Sequence, residues 1–187
     1  MERSIEASAT LHTTTGLART VLRSSPELVL GDPDSETRTG PRRFGTTVPA
    51  HVGPGTTVEQ AVTITFGPLR STEVDDNAVG PFSWEPHGLE RLLPSFRGNL
   101  AIDPVDGTNG SCLTVRGRYR APLGRVGRFG DSVIGHRIAR QSLTLYVERL
   151  AKGIDREAVR CHTAAPLRPA PYNEDLRPHS RSQHHVG

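Results

Sequence analysis

The stretch Cys112-Leu-Thr-Val-Arg-Gly-Arg-Tyr119, followed by Ala121-Pro-Leu-Gly-Arg-Val-Gly127 and a periodic segment from Asp131, is the part of the chain that decides the fold. In its first part, small or apolar side chains alternate with polar ones, which is the period of a half-buried β-strand. The glycine-rich part predicts a tight turn, and the segment from Asp131 to Gly153 predicts one long helix. A final strand that leads into a long C-terminal helix is typical of a curved sheet wrapped around that helix. Such an arrangement encloses a cavity, which predicts a small, mostly apolar ligand.

The segments before this stretch complete an α+β domain with an antiparallel sheet. Residues 13–15 offer threonine hydroxyls as N-caps for a first short helix, and Pro26 favours the start of a second one. Period-two patterns and turn residues predict strands over 4–12, 44–52, 58–66, 78–85, 97–104 and 111–120. We therefore predict one domain over residues 1–154. Residues 155–187, rich in Pro, Arg and His, are predicted to be a disordered tail.

Composition argues against several classes of function. The 23 basic residues are matched by 20 acidic ones and scattered along the chain, so no basic stripe predicts a nucleic-acid partner. No window approaches the roughly 20 apolar residues of a membrane span. The first residues lack the apolar stretch of a signal peptide. Because Cys112 and Cys161 make no disulfide framework, we expect a reduced, cytoplasmic protein.

Motifs of catalysis and metal binding are missing from the sequence. Four histidines stand far apart, with no partner at ligand spacing: His12, His51, His87 and His136. There is no nucleophile elbow, phosphate-binding loop or dinucleotide fingerprint. Glu59 and Glu85 fall on the outer faces of their strands. We therefore predict no catalytic residue, no metal and no cofactor.

A family resemblance rests on motifs between residues 82 and 131. They are Phe82-Ser-Trp-Glu-Pro86, Leu93-Pro-Ser-Phe-Arg-Gly-Asn-Leu100, Gly117-Arg-Tyr-Arg-Ala-Pro-Leu-Gly-Arg-Val-Gly127 and Asp131. Together they resemble uncharacterised bacterial members of the SRPBCC or START-like helix-grip superfamily, and the element order extends the likeness to residues 4–154. Ala121 stands where that pattern has a first proline. The resemblance implies a hydrophobic cavity between sheet and helix, and it implies no particular chemistry.

The candidate ligand-binding residues lie on the predicted inner faces of strands and helix. They are Gln60, Phe82, Trp84, Tyr119, Ile134, Ile138 and Gln141. Phe82 and Trp84 are either core residues or ligand contacts. Tyr119 needs a hydrogen-bond partner if it is buried, and a ligand can provide one. The two glutamines either bond within the core or orient a ligand.

Structural roles explain the glycines of the motif and its aspartate. Gly117 favours a bend or bulge in a curved strand. Gly124 and Gly127 supply turn geometry, and Asp131 is suited to cap the helix.

Three functions are compatible with this sequence. The first is non-catalytic binding or carriage of a small hydrophobic molecule, such as a lipid or a polyketide-like metabolite. The second is a polyketide cyclase or aromatase that uses the same cavity, with Tyr119, Gln60, Gln141 and Arg137 as its polar groups. The third is an interaction module whose tail over residues 156–187 recruits a partner.

Overall fold

A computed structural model of the protein describes residues 2–34, 40–53, 55–71, 77–88, 93–120 and 132–164, with no description of the side chains at 51–53, 120, 132–135 and 164. The elements follow one another in this order: β1 (Glu2–Leu11), α1 (Thr15–Ser24), α2 (Glu27–Leu30), β2 (Asp32–Pro33), β3 (Arg42–Gly53), β4 (Thr56–Phe66), β5 (Arg70–Ser71), β6 (Ala78–Pro86), β7 (Ser95–Pro104), β8 (Ser111–Arg120) and α3 (Ser132–Ala164). The first helix begins as predicted, because the Thr14 hydroxyl accepts a hydrogen bond from the Leu17 amide at 3.3 Å.

The strands form one antiparallel sheet that curves around α3. Its order is β1-β8-β7-β6-β4-β3-β2, with β5 paired to β6. Helix α3 packs against both β1 and β3. In a flat sheet these two strands would lie about 24 Å apart, at about 4.8 Å per strand. A helix about 10 Å wide reaches both only if the sheet bends around it. The α+β class and the curved sheet around a C-terminal helix are therefore confirmed.

A pair of glycines allows the backbones of β7 and β8 to approach closely. Gly98 lies directly opposite Gly117, and the register is continuous through the pair, so there is no bulge at this point. A Cβ atom on Gly117 would come within 2.6 Å of Phe96 Cζ and 2.7 Å of the Gly98 Cα atom. Gly117 was predicted to allow a bend or bulge; the structure instead shows that it allows a close approach of two strands. Gly124, Gly127 and Asp131 lie outside the described residues.

The long helix supplies the inner layer of the core. One stripe of α3 is fully buried, as predicted, and consists of Ala139, Leu143, Val147, Leu150 and Ile154. Along the sheet, the inward residues of β4 and β6 alternate with exposed ones, as a half-buried strand requires. Among the described residues, no helix is long and apolar enough to cross a membrane.

The predicted end of the last helix was wrong. We expected it to stop at Gly153, but α3 continues to Ala164, and Ala158 is 2% exposed. A Cβ atom on Gly153 would lie 3.2 Å from Val29 Cγ1 of the α2 segment. Gly153 therefore marks a place where two helices pack closely, and it does not end the helix. The predicted disordered tail began at residue 155, and this is wrong for residues 155–164, which belong to α3. Its remainder, residues 165–187, lies outside the described residues and stays a prediction.

Candidate functional site

Four aromatic rings fill part of the space between the sheet and α3. They are Phe82, Trp84, Phe96 and Tyr146. The centroids of Trp84 and Phe96 are 4.8 Å apart in a stacked arrangement, and the Phe82 and Tyr146 centroids are 6.0 Å apart. The Trp84 indole donates a hydrogen bond to the Pro94 carbonyl at 3.0 Å. Phe82 and Trp84 are at most 2% exposed, so the structure places both in the packed core.

The Gln60 side chain is buried and hydrogen-bonded within the core. Its side-chain nitrogen donates to the His87 carbonyl oxygen at 2.6 Å, and the residue is 8% exposed. This bond joins the inner face of β4 to the end of β6. Of the two roles open for Gln60, the structure displays the hydrogen bond within the core.

Tyr119 is joined to a histidine of α3. Its hydroxyl lies 3.0 Å from His136 Nδ1, and the two rings stack with centroids 6.0 Å apart. Tyr119 is 3% exposed, whereas His136 is half-buried. The predicted need of this phenol for a partner is therefore met by a side chain from another element.

Sequence reasoning missed His136 as a site residue, although a signal was present. His136 precedes Ala139 and Leu143 at the spacing of one helix face, so it extends the buried stripe by one turn. Tyr146 was missed as well. It lies between Leu143 and Leu150 on the same face.

Near the start of α3, half-buried and exposed positions alternate with buried ones. Ile138 and Gln141 are half-buried, while Arg137 is exposed and does not point inward as the cyclase hypothesis required. Leu145, which lies on the same side of the helix as Ile138 and Gln141, is 37% exposed. The side chain of Ile134 lies outside the described residues.

One buried polar atom of this region has no partner within the described part of the chain. The Tyr146 ring belongs to the aromatic cluster, and its buried hydroxyl neither accepts nor donates a hydrogen bond among the described residues. Because burial penalises the phenolate, the pKa of Tyr146 is raised well above its ordinary value near 10.

The acidic residues that could serve as general acids or bases lie elsewhere. Glu59 accepts hydrogen bonds from Arg149 at 2.6 and 3.1 Å, and that guanidinium lowers the carboxyl pKa. Glu85 forms an exposed ion pair with Arg97. Within the described residues, no group of three or more His, Cys, Asp or Glu could hold a metal ion. Among the described residues, the Tyr119 phenol and the His136 imidazole form the pair of hydrogen-bonded titratable groups on the inner face.

Comparison with solved structures identifies the architecture. The Zhui aromatase/cyclase from Streptomyces sp. R1128 superposes with a TM-score of 0.52 at 14% identity, covering 89% of this chain and 99% of that one. Norcoclaurine synthase from Thalictrum flavum superposes with a TM-score of 0.50 at 11% identity, covering 85% of this chain and 87% of that one. The fold is the START-like helix grip.

At 11–14% sequence identity, the similarity to these START-like structures shows a shared fold and nothing about activity. A START superfamily protein from Mycobacterium smegmatis is also similar, with a TM-score of 0.44, 10% identity and coverage of 84% of this chain and 98% of that one. No protein-family model matches the sequence, and no curated protein matches it either.

Proposed function

We propose that the protein binds a small, mostly apolar molecule between the concave face of the sheet and the first half of α3, without changing it chemically. The observation that carries this proposal is the incomplete burial near the start of the helix. From Ala139 to Ile154 the inward stripe is fully buried. Three residues near the start of the helix are only half-buried: His136, Ile138 and Gln141.

The START-like fold supports the proposal. Two proteins that share this fold are named as an aromatase/cyclase and a norcoclaurine synthase. A pocket for a small molecule is typically apolar with a few polar groups that orient the ligand. The hydroxyl of Tyr119 and the half-buried ring of His136 are polar groups of this kind.

The Tyr119–His136 pair also favours a second candidate function, that of a cyclase or aromatase. A phenol in direct hydrogen-bond contact with an imidazole can act as a general acid or base toward a bound substrate. If the protein is a cyclase or aromatase of this kind, Tyr119→Phe should lower the turnover of a linear polyketide chain at least about tenfold and leave binding of that chain unchanged. Unchanged turnover in that variant would exclude the pair as the proton-transfer group.

Native mass spectrometry of the protein purified from its source is the first test of binding. We expect a stoichiometric apolar ligand that can be extracted and identified. The second test measures uptake of the uncharged probe N-phenyl-1-naphthylamine through the change in the fluorescence of the probe. Ile138→Trp should weaken uptake at least about tenfold, since the larger ring occupies the proposed site.

The matched control places the same substitution elsewhere on α3. Val159 is 66% exposed near the other end of the helix, so Val159→Trp should bind the probe like the unmodified protein. Equal uptake by both variants, or a protein that takes up no apolar probe, would contradict binding at this position.

A further inference from the structure

A second concave surface lies outside the space between the sheet and α3. It is a cleft of about 570 Å³ between the end of α1 and the place where β3 begins and β4 ends, and we call it the α1 cleft. Its volume falls in the range of about 300–1,000 Å³ that is typical of small-molecule sites. Its floor is apolar and formed by Leu22, Phe66 and Leu69, each at most 5% exposed.

The α1 cleft is separate from the site around Tyr119. It shares no lining residue with that site, because it takes its strand residues from β3, from β4 and from the connection after β4. Strands β4 and β8 are three spacings apart in the sheet order, which is about 14 Å. Occupation of one site can therefore be measured independently of the other.

Two guanidinium groups stand at the rim of the α1 cleft, from Arg23 and Arg42. Arg42 is already engaged, since it pairs with Glu27 at 3.1 Å and lies 5.4 Å from the centroid of Phe44. Arg23 is exposed in the last turn of α1 and has no ion-pair or hydrogen-bond partner within the described part of the chain. Among the described residues, the rim thus holds the guanidinium groups of Arg23 and Arg42 and the carboxylate of Glu27, above an apolar floor.

We infer that the α1 cleft binds a small amphipathic anion, in which an apolar ring system or chain ends in a carboxylate or a similar acidic group. The apolar part contacts Leu22, Phe66 and Leu69, and the acidic group accepts hydrogen bonds from Arg23. A guanidinium suits this role because its fork of N–H donors matches a carboxylate. This site is additional to the proposed binding of an apolar molecule near Tyr119.

The test compares a charged and an uncharged probe of similar shape. The anionic probe 1-anilinonaphthalene-8-sulfonate is titrated into the unmodified protein and into Arg23→Gln, and N-phenyl-1-naphthylamine is titrated in parallel. We expect Arg23→Gln to weaken binding of the anionic probe about three- to tenfold, as for one partly exposed charge-assisted contact. Binding of the uncharged probe should change less than about twofold. Arg23→Lys should retain most of the affinity because it keeps the charge.

The control removes an arginine from a different surface. Arg97 lies on the outer face of the sheet with its side chain 83% exposed, so Arg97→Gln should leave binding of the anionic probe unchanged. In an amide NMR spectrum, the probe should shift the Gly40 and Gly67 signals, since both residues line the α1 cleft.

Three results would overturn the inference. They are equal affinity of Arg23→Gln and the unmodified protein for the anionic probe, an equal loss in Arg97→Gln, or no binding of that probe up to about 1 mM. None of them bears on uptake of the uncharged probe or on its sensitivity to Ile138→Trp, so the inference and the proposed function can fail separately.

Discussion

At the scale of single residues, two buried tyrosines differ in what their hydroxyls contact. The Tyr119 hydroxyl is bonded to His136, while that of Tyr146 has no partner among the described residues. A buried hydroxyl stabilises a protein only when its hydrogen bond replaces those it made to water.

We therefore predict opposite outcomes for two identical substitutions. Tyr119→Phe should lower the free energy of unfolding by about 1 kcal/mol, because a hydrogen bond is lost. Tyr146→Phe should leave it unchanged or raise it, because an unpaired polar group is removed. Urea unfolding of both variants measures the difference. Equal destabilisation would mean that the Tyr146 hydroxyl is hydrogen-bonded in solution.

The raised pKa of Tyr146 predicts a loss of stability in alkali. Between the ordinary pKa near 10 and the raised folded value, the phenol stays protonated in the native state and ionises on unfolding. The unfolded state then binds fewer protons, so the free energy of unfolding falls as pH rises, by up to about 1.4 kcal/mol per pH unit. Urea unfolding from about pH 9 to 11 should show this slope, and Tyr146→Phe should reduce it. An identical slope in that variant would assign the effect to other groups.

At the scale of elements, glycines decide how closely neighbouring segments pack. Gly117 allows β7 and β8 to approach, and Gly153 allows α3 to pack on the α2 segment. A methyl group on Gly117 would meet backbone atoms of β7, which cannot move aside as a flexible side chain can, whereas one on Gly153 would first meet the Val29 side chain at 3.2 Å.

Gly117→Ala is predicted to destabilise the protein by about 1–3 kcal/mol, the range typical of a substitution that overpacks a core. Its Cβ atom would clash with the Arg97 carbonyl and with the Phe96 ring. Gly16→Ala is a suitable control, since a Cβ atom there has nothing within 4 Å and alanine favours the helix. Thermal unfolding, monitored by circular dichroism, compares the stability of the Gly117→Ala and Gly16→Ala proteins. A Gly117→Ala protein as stable as the control would show that the strands separate at little cost.

The last turns of α3 are predicted to be part of the folded domain. A chain that ends at Ala164 should unfold at the same temperature as the full chain. A chain that ends at Gly153 should lose several kcal/mol, because it lacks the buried residues Ile154 and Ala158. It also lacks Asp155, whose carboxylate accepts a hydrogen bond from the His12 backbone amide at 3.0 Å. Equal melting temperatures for all three chains would contradict the packing of this segment. The chain that ends at Ala164 keeps α3 whole, so it also tests whether residues 165–187 recruit a partner.

At the scale of the whole molecule, α3 is held at the far side of the curved sheet by a polar contact. Arg149 of α3 bonds to Glu59 of β4 and, at 3.4 Å, to the Thr47 carbonyl of β3. Because β2 pairs with β3 only near Phe44, this contact lies where β3 is an edge strand. The helix thus closes the sheet on the side opposite to β1.

We predict that this closure weakens in acid. The hydrogen bond from Arg149 lowers the Glu59 pKa, so the pair stabilises the fold above the ordinary glutamate range and loses that contribution as pH falls through the lowered value. A double-mutant cycle with Arg149→Gln and Glu59→Gln should give a coupling of at most about 1 kcal/mol at neutral pH, since both side chains are about half exposed. The coupling should vanish in acid. A coupling independent of pH would exclude the carboxylate as its source.

Local patterns in the sequence determined the order of the elements and the faces that they bury. The alternation in β4 and β6, the threonine cap of α1 and the buried stripe of α3 depend on residues close in the chain, so they could be predicted from it. Only the tertiary structure decided that Tyr119 bonds to His136, that Trp84 stacks on Phe96 and that Gly153 packs on Val29. These contacts join segments that meet only when the sheet curves around the helix, and no local period encodes which side chains then lie within bonding distance. The same reason explains why the α1 cleft had no signal in the sequence: its lining comes from one helix and two strands that only the fold brings together.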